Sequence, residues 1–401
     1  MPLPKSKSPD AAVIGAGPVG LLLALLLGRQ GKRVVVLERR AAQPPEGAPR
    51  PGATIVQPVT LDLLSRLDLL GPLEDAGGRI SGAEVRVDAT LVSAQDYSEL
   101  AGSPLPFALS IPGEAVRATL LAALAELSTV EIVYHAEVTG LAGRGDRERA
   151  VEVRVPEGDA VLTARYVIAA DGKFSTTREL AGIEAEVVPV SGGYLDVPVP
   201  IPADWDGRAR AHFGPHGYLL ETRRGPDTLV LVWITDPAVL GAVADGPIDG
   251  LVRQFSTVVP RLAPLARSAI TSWDQVRRVQ HHIVRSARWR AGNVLLLGDS
   301  AHGLHAFGGQ GLNTAFQDAF AVAEALRADW SAADHPAFDR FEQIRRPFIE
   351  AFQDLQLGAV NRSPRAGADG GAPRPEFEVL ALGQPEIRPL LATAAAAFTT
   401  V

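Results

Sequence analysis

Ala11-Ala12-Val13-Ile14-Gly15-Ala16-Gly17-Pro18-Val19-Gly20-Leu21-Leu22-Leu23-Ala24-Leu25 joins a short apolar run to a longer one through a turn holding three glycines. Ala12–Ile14 reads as a strand. Pro18–Gln30 reads as a helix with proline at its entrance, where no backbone N–H is needed. Between them stands G-x-G-x-x-G. Gly15 permits the tight turn, Gly17 lets a pyrophosphate approach the backbone, and Gly20 lets helix and strand pack closely. Pro18 and Val19 start the helix, whose first N–H groups suit an anion. Arg33–Leu37 is a Val-rich second strand, closed by Glu38, whose carboxylate can accept hydrogen bonds from a ribose diol. Arg39 beside it either reaches the adenosine or stays solvated. Strand, turn, helix, strand and acid in this order begin a parallel α/β unit that binds an adenine dinucleotide. The turn by itself does not separate FAD from NAD.

The 401 residues around this unit suggest two or three domains, on a soft prior of roughly 150 residues each. With 46% hydrophobic and 21% charged residues, the chain can bury a sizeable core. Lys+Arg 39 against Asp+Glu 46 leaves a net charge of −7, which supports neither nucleic acid nor an anionic membrane as partner. There is no cysteine. Disulfides, thiolate catalysis and Cys-ligated zinc or iron–sulfur clusters are therefore excluded, and a reducing, cytoplasmic location is expected. No metal is expected, because the eight histidines are scattered without ligand spacing, and no Ser/His/Asp triad is legible. The stretch Ala11–Leu27 behind Lys5 and Lys7 superficially looks like a signal peptide or a membrane span. It is short for a span and is interrupted by Gly15, Gly17, Pro18 and Gly20.

Further along, Thr60–Leu70 and Glu114–Leu127 carry helical spacing, and Glu131–Tyr134, Ala150–Val155 and Val161–Ile168 read as strands. Gly193–Ile234 holds short alternating runs broken by Gly and Pro, the pattern of an antiparallel sheet. Asn293–Leu297 returns to the buried style of strand, with helices at about 311–328 and 335–354. Arg362–Pro375 is Pro/Gly-rich and reads as a linker.

Two more segments narrow the cofactor. Ala170-Asp171-Gly172-Lys173-Phe174-Ser175-Thr176-Thr177-Arg178 follows the apolar strand Tyr166–Ala169. Gly298-Asp299-Ser300-Ala301-His302 follows Asn293–Leu297 and continues to Gly308-Gly309-Gln310-Gly311-Leu312-Asn313. Asp299 is placed to bind a ribityl or ribose hydroxyl. Gly308, Gly309 and Gly311 lead into a helix whose N–H dipoles favour negative charge at N1 and C2=O of a reduced flavin. In motif order over roughly residues 10–350, the chain resembles the FAD-dependent aromatic hydroxylases typified by p-hydroxybenzoate hydroxylase, the single-component flavoprotein monooxygenases. The family's D-G-x-x-S-x-x-R and G-D-A-A-H…G-Q-G-x-N blocks are similar to these two segments.

The resemblance implies FAD as cofactor, with Asp171, Gly172, Gly298, Asp299, Gly309, Gly311, Leu312 and Asn313 around it. It implies that Arg117 meets the pyrophosphate and that Val138 contacts adenine through its backbone. It further implies that NADPH, or NADH, reduces the flavin transiently. O2 then adds at C4a, and the resulting hydroperoxide hydroxylates an activated ring of a small aromatic substrate. The expected fold is α/β. A Rossmann-type FAD-binding domain comprises 1–80, 105–185 and 285–355. An inserted, mainly antiparallel β-sheet substrate domain comprises 81–104 and 186–284, and a linker and tail (356–401) follow the C-terminal helices. No extra C-terminal domain is expected.

The chain also departs from that family. Where prolines commonly stand beside the flavin it has Leu304-His305-Ala306-Phe307, which leaves the local backbone less fixed. His305 either faces substrate or flavin or points outward, whereas His302 reads as a structural, hydrogen-bonded histidine. Where the family often has an arginine before the Thr60–Leu64 helix the chain has Gly52, with Arg50 nearby; either Arg50 takes over or the flavin is less firmly held. The inserted sheet offers His212, Phe213, Tyr218, Leu220, Arg223 and Trp233, of which His212 and Tyr218 are the polar candidates for substrate. Without a clustered arginine set, a phenolic or polycyclic natural-product intermediate is expected rather than a small benzoate. The alternatives are a flavin-dependent epoxidase acting on an alkene, an NAD-dependent dehydrogenase, and a non-catalytic flavin-fold binding protein.

Overall fold

The computed structural model describes residues 9–43, 52–143, 148–190, 193–214, 217–328, 330, 336–361 and 377–397. Its parallel sheet runs, in spatial order, Val294–Leu296, Tyr166–Ala169, Ala11–Ile14, Val34–Glu38 and Val130–Tyr134, with Arg290–Ala291 antiparallel at one edge. Alternate residues of the first strand serve two layers. Ala11 and Val13 join the helical core, while Ala12 and Ile14 pack with Val151, Val153 and Leu162 of the antiparallel meander Glu137–Gly143, Arg149–Val155, Gly158–Ala164. A strand buried on both faces has to be apolar throughout, which is why these short runs look continuous in the sequence. Helix Pro18–Arg29 is buried along Gly20–Gly28, against helices Gly113–Ala125 and Gly311–Ala328.

This topology positions the site. Ala11–Ile14 lies between Val34–Glu38 and Tyr166–Ala169, and Val294–Leu296 is the next strand over. Because all are parallel, Gly15, Glu38, Asp171 and Asp299 follow or end neighbouring strands at the same carboxyl edge, where ligands of open α/β sheets bind.

A second sheet of seven strands runs Arg277–Val279, Tyr194–Pro200, Thr228–Ile234, Gly217–Arg223, Arg208–Gly214, Gly82–Val87, Thr90–Asp96. Its neighbours are antiparallel except Arg208–Gly214 beside Gly82–Val87. One face packs Leu195, Leu219, Leu231 and Trp233 against Leu251 and Phe255 of helix Asp249–Val258. The architecture is the α/β arrangement expected: a parallel nucleotide-type sheet, an inserted and mainly antiparallel sheet, and C-terminal helices.

Two local expectations are corrected. Thr60–Leu70 is two helices, Pro58–Ser65 and Leu70–Ala76, separated where Asp68 takes the left-handed conformation (φ 59°). Residues 356–401 are not simply linker and tail. The helix from Pro336 extends to Asn361, and Phe377–Leu382 and Arg388–Ala397 are helices too. Leu391, Ala394 and Ala395 share one helical face and are buried in the main core. The Pro/Gly-rich segment Arg362–Pro375 lies outside the described residues. Among the described residues no helix is long and apolar enough to cross a membrane.

Candidate active site

Gly15 leaves its strand at φ 106°, and a Cβ there would stand 2.5 Å from the carbonyl oxygen of Ala170. Gly20 faces the same turn from the helix, and a Cβ would collide with the carbonyl oxygen of Gly15. Gly17 differs, since a Cβ would meet nothing within 4 Å. No side chain caps the helix it begins, so the N–H groups there remain available. Glu38 sits at the rim, with its two oxygens accepting from the N–H of Ala16 (2.8 Å) and of Arg40 (2.9 Å). Arg117 lies over the turn, donating to the carbonyl of Ala16 (3.3 Å) and to Tyr134 Oη (3.4 Å).

Gly15, Glu38, Arg39, Val138, Asp171 and Gly172 line a cavity of about 440 Å³. Asp171 is half committed: Oδ2 accepts from the N–H (3.1 Å) and the hydroxyl (2.8 Å) of Thr177, while Oδ1 is buried without a partner among the described residues. Such an acceptor is costly unless a ligand hydroxyl or amine supplies the missing donor.

A second cavity, about 510 Å³, shares Gly17, Gly172 and Lys173 with the first. Asp299, Gly309, Gly311 and Leu312 form one side of it. Ser300 anchors this loop by donating to Ala169 O (2.6 Å), and the buried Arg178 donates to the carbonyls of Lys173 (3.2 Å) and Ser300 (3.0 Å). The second and third sequence motifs are thereby tied to each other. Asn313 is buried and absent from both cavity walls: it donates to Ile55 O (2.7 Å) and Gly309 O (2.9 Å) and accepts from the Gln57 N–H (2.8 Å). It clamps the glycine loop to strand Ala53–Val56, so its expected contact with cofactor is corrected to a supporting one. Gly298 likewise stands behind the wall, close to Ala315 and Val19. Arg50 lies outside the described residues.

The opposite side of the 510 Å³ cavity is the free face of the seven-stranded sheet. Tyr218, Leu220 and Thr222 on one strand and Val230, Val232 and Ile234 on its neighbour line it. Side chains alternate along a strand, so Leu219 and Trp233 belong to the other face. His212 pairs with Leu219 and shares that face. Its Nε2 lies 3.4 Å from Glu221 Oε2, and Glu221 is also engaged by Arg261. The expectation that His212 meets substrate is therefore corrected. Tyr218 is on the cavity wall, packed on Phe213 and Phe307 (ring centroids 5.0 and 5.5 Å), and burial pushes its phenol pKa up.

His305 is also on this wall and buried. Its Nδ1 accepts from the Phe307 N–H (3.1 Å), its ring meets His281 edge-on (5.1 Å), and burial and then the Lys173 charge push its pKa down to about 4. His281 is pushed down to about 3 by burial, then Lys173, then His305. Lys173 donates to the carbonyls of His282 (2.8 Å) and Leu304 (2.7 Å) and lies 3.4 Å from His281 Nδ1. Burial lowers its pKa, opposed by Asp299. Arg277 and Asp196 form an ion pair on the same wall (Nε to Oδ2 2.9 Å). His302, by contrast, bonds the buried Asp318 (2.7 Å), which also pairs with Arg345 (2.8 Å). The sequence reading missed Lys173, His281 and the Asp196–Arg277 pair. The one signal for His281 and Arg277 was the polar run Arg277-Arg278-Val279-Gln280-His281-His282, and nothing local marked Asp196.

Residues 9–216 and 252–356 match the FAD binding domain family. The chain is 32% identical over 363 residues to protoasukamycin 4-monooxygenase of Streptomyces nodosus subsp. asukaensis, covering 86% of each. It is a FAD-dependent monooxygenase of the aromatic hydroxylase family. This monooxygenase is also 29% identical to 6-methylpretetramide 4-monooxygenase of Streptomyces rimosus, over 95% of its own length and 91% of the relative's. Among solved structures it resembles P. aeruginosa PqsL in complex with 2-aminobenzoylacetate, with a TM-score of 0.78 and 26% identity over 91% of this chain and 100% of that one. It also resembles p-nitrophenol 4-monooxygenase PnpA of Pseudomonas putida DLL-E4, with a TM-score of 0.74 and 26% identity over 98% and 97%. The dehydrogenase alternative is overturned by this membership. The orphaned Asp171 Oδ1, the open backbone at Gly17 and the uncapped helix fit the anionic, hydroxyl-rich cofactor of this monooxygenase family.

Proposed function

We propose that the enzyme hydroxylates a phenolic or polycyclic aromatic natural-product intermediate in the cytoplasm, consuming NAD(P)H and O2. The observation that carries this reading is a single cavity in which Gly17, Asp299, Gly309 and Gly311 face the apolar strands of the inserted sheet. FAD, when bound, supplies redox chemistry with O2 that no side chain here offers. In this reading Gly15, Gly17, Pro18, Val19 and Gly20 form the pyrophosphate turn, Glu38 takes the ribose diol, and Arg39 and Val138 border the adenosine. Arg117 would flank the pyrophosphate, Asp171 Oδ1 would accept from a cofactor hydroxyl, and Asp299 would do the same on the ribityl side. Gly309, Gly311 and Leu312, on the cavity wall, would border its ring.

Residues 81–104 and 186–284 then act as the substrate domain. Leu220, Val230, Val232 and Ile234 exclude water and pack the aromatic face, so that a reactive intermediate is not lost to hydrolysis. Tyr218, kept protonated by burial, donates a hydrogen bond to a substrate oxygen and orients the ring. Relatives named for protoasukamycin and 6-methylpretetramide, and a structural neighbour named for p-nitrophenol, itself a phenol, support this substrate class.

The test is an absorption spectrum of the purified protein. NADPH oxidation is then followed with a panel of phenols and hydroxylated polycycles under isotope-labelled dioxygen. A flavin spectrum, substrate-stimulated NADPH consumption and one labelled oxygen in the product are expected. Colourless protein, or NADPH consumption indifferent to every compound, contradicts the reading.

A further inference from the structure

The substrate wall contains buried polar atoms that the protein leaves without partners. Thr222 Oγ1, Ser110 Oγ and His305 Nε2 are each buried and unbonded among the described residues, and all three residues border the 510 Å³ cavity. His305 is the most informative, because its protonation is fixed by geometry. Nδ1 accepts the Phe307 N–H at 3.1 Å, so the proton of the neutral ring sits on Nε2, which is a donor and nothing else. The backbone N–H of His305 donates to Gln356 Oε1 (3.0 Å), and its carbonyl accepts from Gln356 Nε2 (2.9 Å). The residue is therefore held at both ends.

The charged groups of this wall are already committed. Arg277 is paired with Asp196. The three protons of the Lys173 ammonium have three acceptors, the carbonyls of His282 and Leu304 and the ring nitrogen of His281. What these groups leave for a ligand's hydrogen bonds is neutral donors, since their own N–H groups are engaged, and the Lys173 charge is opposed by that of Asp299.

We propose that His305 is a specificity-determining residue whose Nε2–H donates to a neutral oxygen, a phenolic hydroxyl or a ring carbonyl, on the substrate. The cavity thereby selects oxygenated aromatics over both bare hydrocarbons and carboxylates. This rests on the aromatic-hydroxylase reading above and deepens it by naming the group recognised. A buried donor left unpaired is a standing cost that an oxygen-bearing ligand removes and an oxygen-free one does not.

The experiment uses the FAD-loaded enzyme and three probes of similar size: 1-naphthol, naphthalene and 1-naphthoate. Binding is read from the perturbation of flavin absorption. Wild type is expected to bind 1-naphthol about tenfold more tightly than naphthalene, the equivalent of ~1.4 kcal/mol, and more tightly than 1-naphthoate. His305→Phe should bring 1-naphthol to within about twofold of naphthalene. His305→Gln, which keeps a donor amide, should restore part of the preference. The proposal is overturned if His305→Phe keeps the preference, if 1-naphthoate binds tightest, or if wild type does not prefer 1-naphthol, including the case in which no probe binds. If His305→Phe loses its flavin, His305→Gln decides alone, and loss of the whole preference there counts against the proposal. Wild type that holds FAD and shows aromatic-stimulated NADPH consumption without this preference loses only the present inference. Wild type that lacks flavin, or whose NADPH consumption no aromatic stimulates, loses both.

Discussion

Gly17→Ala is the most discriminating substitution in the phosphate turn. Gly17 has φ −75° and ψ 170°, an extended conformation open to any residue, and an added methyl group meets nothing within 4 Å. The variant should therefore fold without strain and gain up to about 0.4–1 kcal/mol of apoprotein stability through a less flexible unfolded chain. The methyl group would nevertheless occupy the space through which a phosphate reaches the uncapped helix N-terminus. Losing one charge-assisted hydrogen bond of roughly 1.5–3 kcal/mol corresponds to about a tenfold to 150-fold rise in the Kd for FAD. Gly20→Ala should do the reverse. Its Cβ collides with the Gly15 carbonyl, so an overpacking cost of about 1–3 kcal/mol falls on the apoprotein itself. Denaturant unfolding of both apoproteins, with fluorescence titration by FAD, separates the two outcomes. The reasoning fails if Gly17→Ala binds FAD like wild type, or if it destabilises the apoprotein as much as Gly20→Ala does.

Asp299→Ala should sharply lower the flavin content of purified protein, and full retention would refute the role given to that carboxylate. Asp318→Ala strands the Arg345 guanidinium, wholly buried, with the weaker contacts to Gln317, Gln384, Thr314 and the Phe348 ring. A loss of about 3–5 kcal/mol in chemical denaturation is expected, and a loss below about 1 kcal/mol would contradict the cluster's importance. Stability should also fall on acidification. His281 and His305 stay neutral in the fold down to about 3 and about 4, whereas the unfolded chain takes up those protons from about pH 6.5, so the fold weakens across that interval. Asp318 acts in the same direction. Burial raises its pKa, but Arg345 and His302 outweigh this and hold it below the ordinary carboxylate value, so its contribution is present above that value and lost as pH falls through the folded pKa. His305→Phe should flatten part of the slope; equal unfolding midpoints at neutral pH and near pH 5 would contradict this account.

The parts of the molecule legible in the sequence are those where chemistry and chain order coincide. Gly15–Gly20, Asp171–Arg178 and Gly298–Asn313 each carry a strand end and a turn in one stretch, so parallel neighbours bring them together without further information. The cavity wall formed by the inserted sheet is different. Asp196 and Arg277 are opposite each other only because Tyr194–Pro200 pairs antiparallel with Arg277–Val279, a register no local pattern reveals. The same lack of register placed His212 beside Tyr218 in the sequence reading, although one residue of alternation puts them on opposite faces. Asn313 resembled a cofactor ligand because its partners, Ile55 and Gln57, come from a distant strand and the turn after it. The C-terminal helices were obscured by the Pro/Gly-rich stretch before them, even though Leu391, Ala394 and Ala395 carry helical spacing.

The two central strands of the inserted sheet divide their labour residue by residue. Tyr218, Leu220, Thr222, Val230, Val232 and Ile234 line the 510 Å³ cavity, and the intervening Leu219, Leu229, Leu231 and Trp233 pack against the helices behind. A combinatorial library confined to the six outward positions should therefore redraw the range of compounds accepted while most members remain folded. The same library moved by a single position should yield mostly insoluble protein.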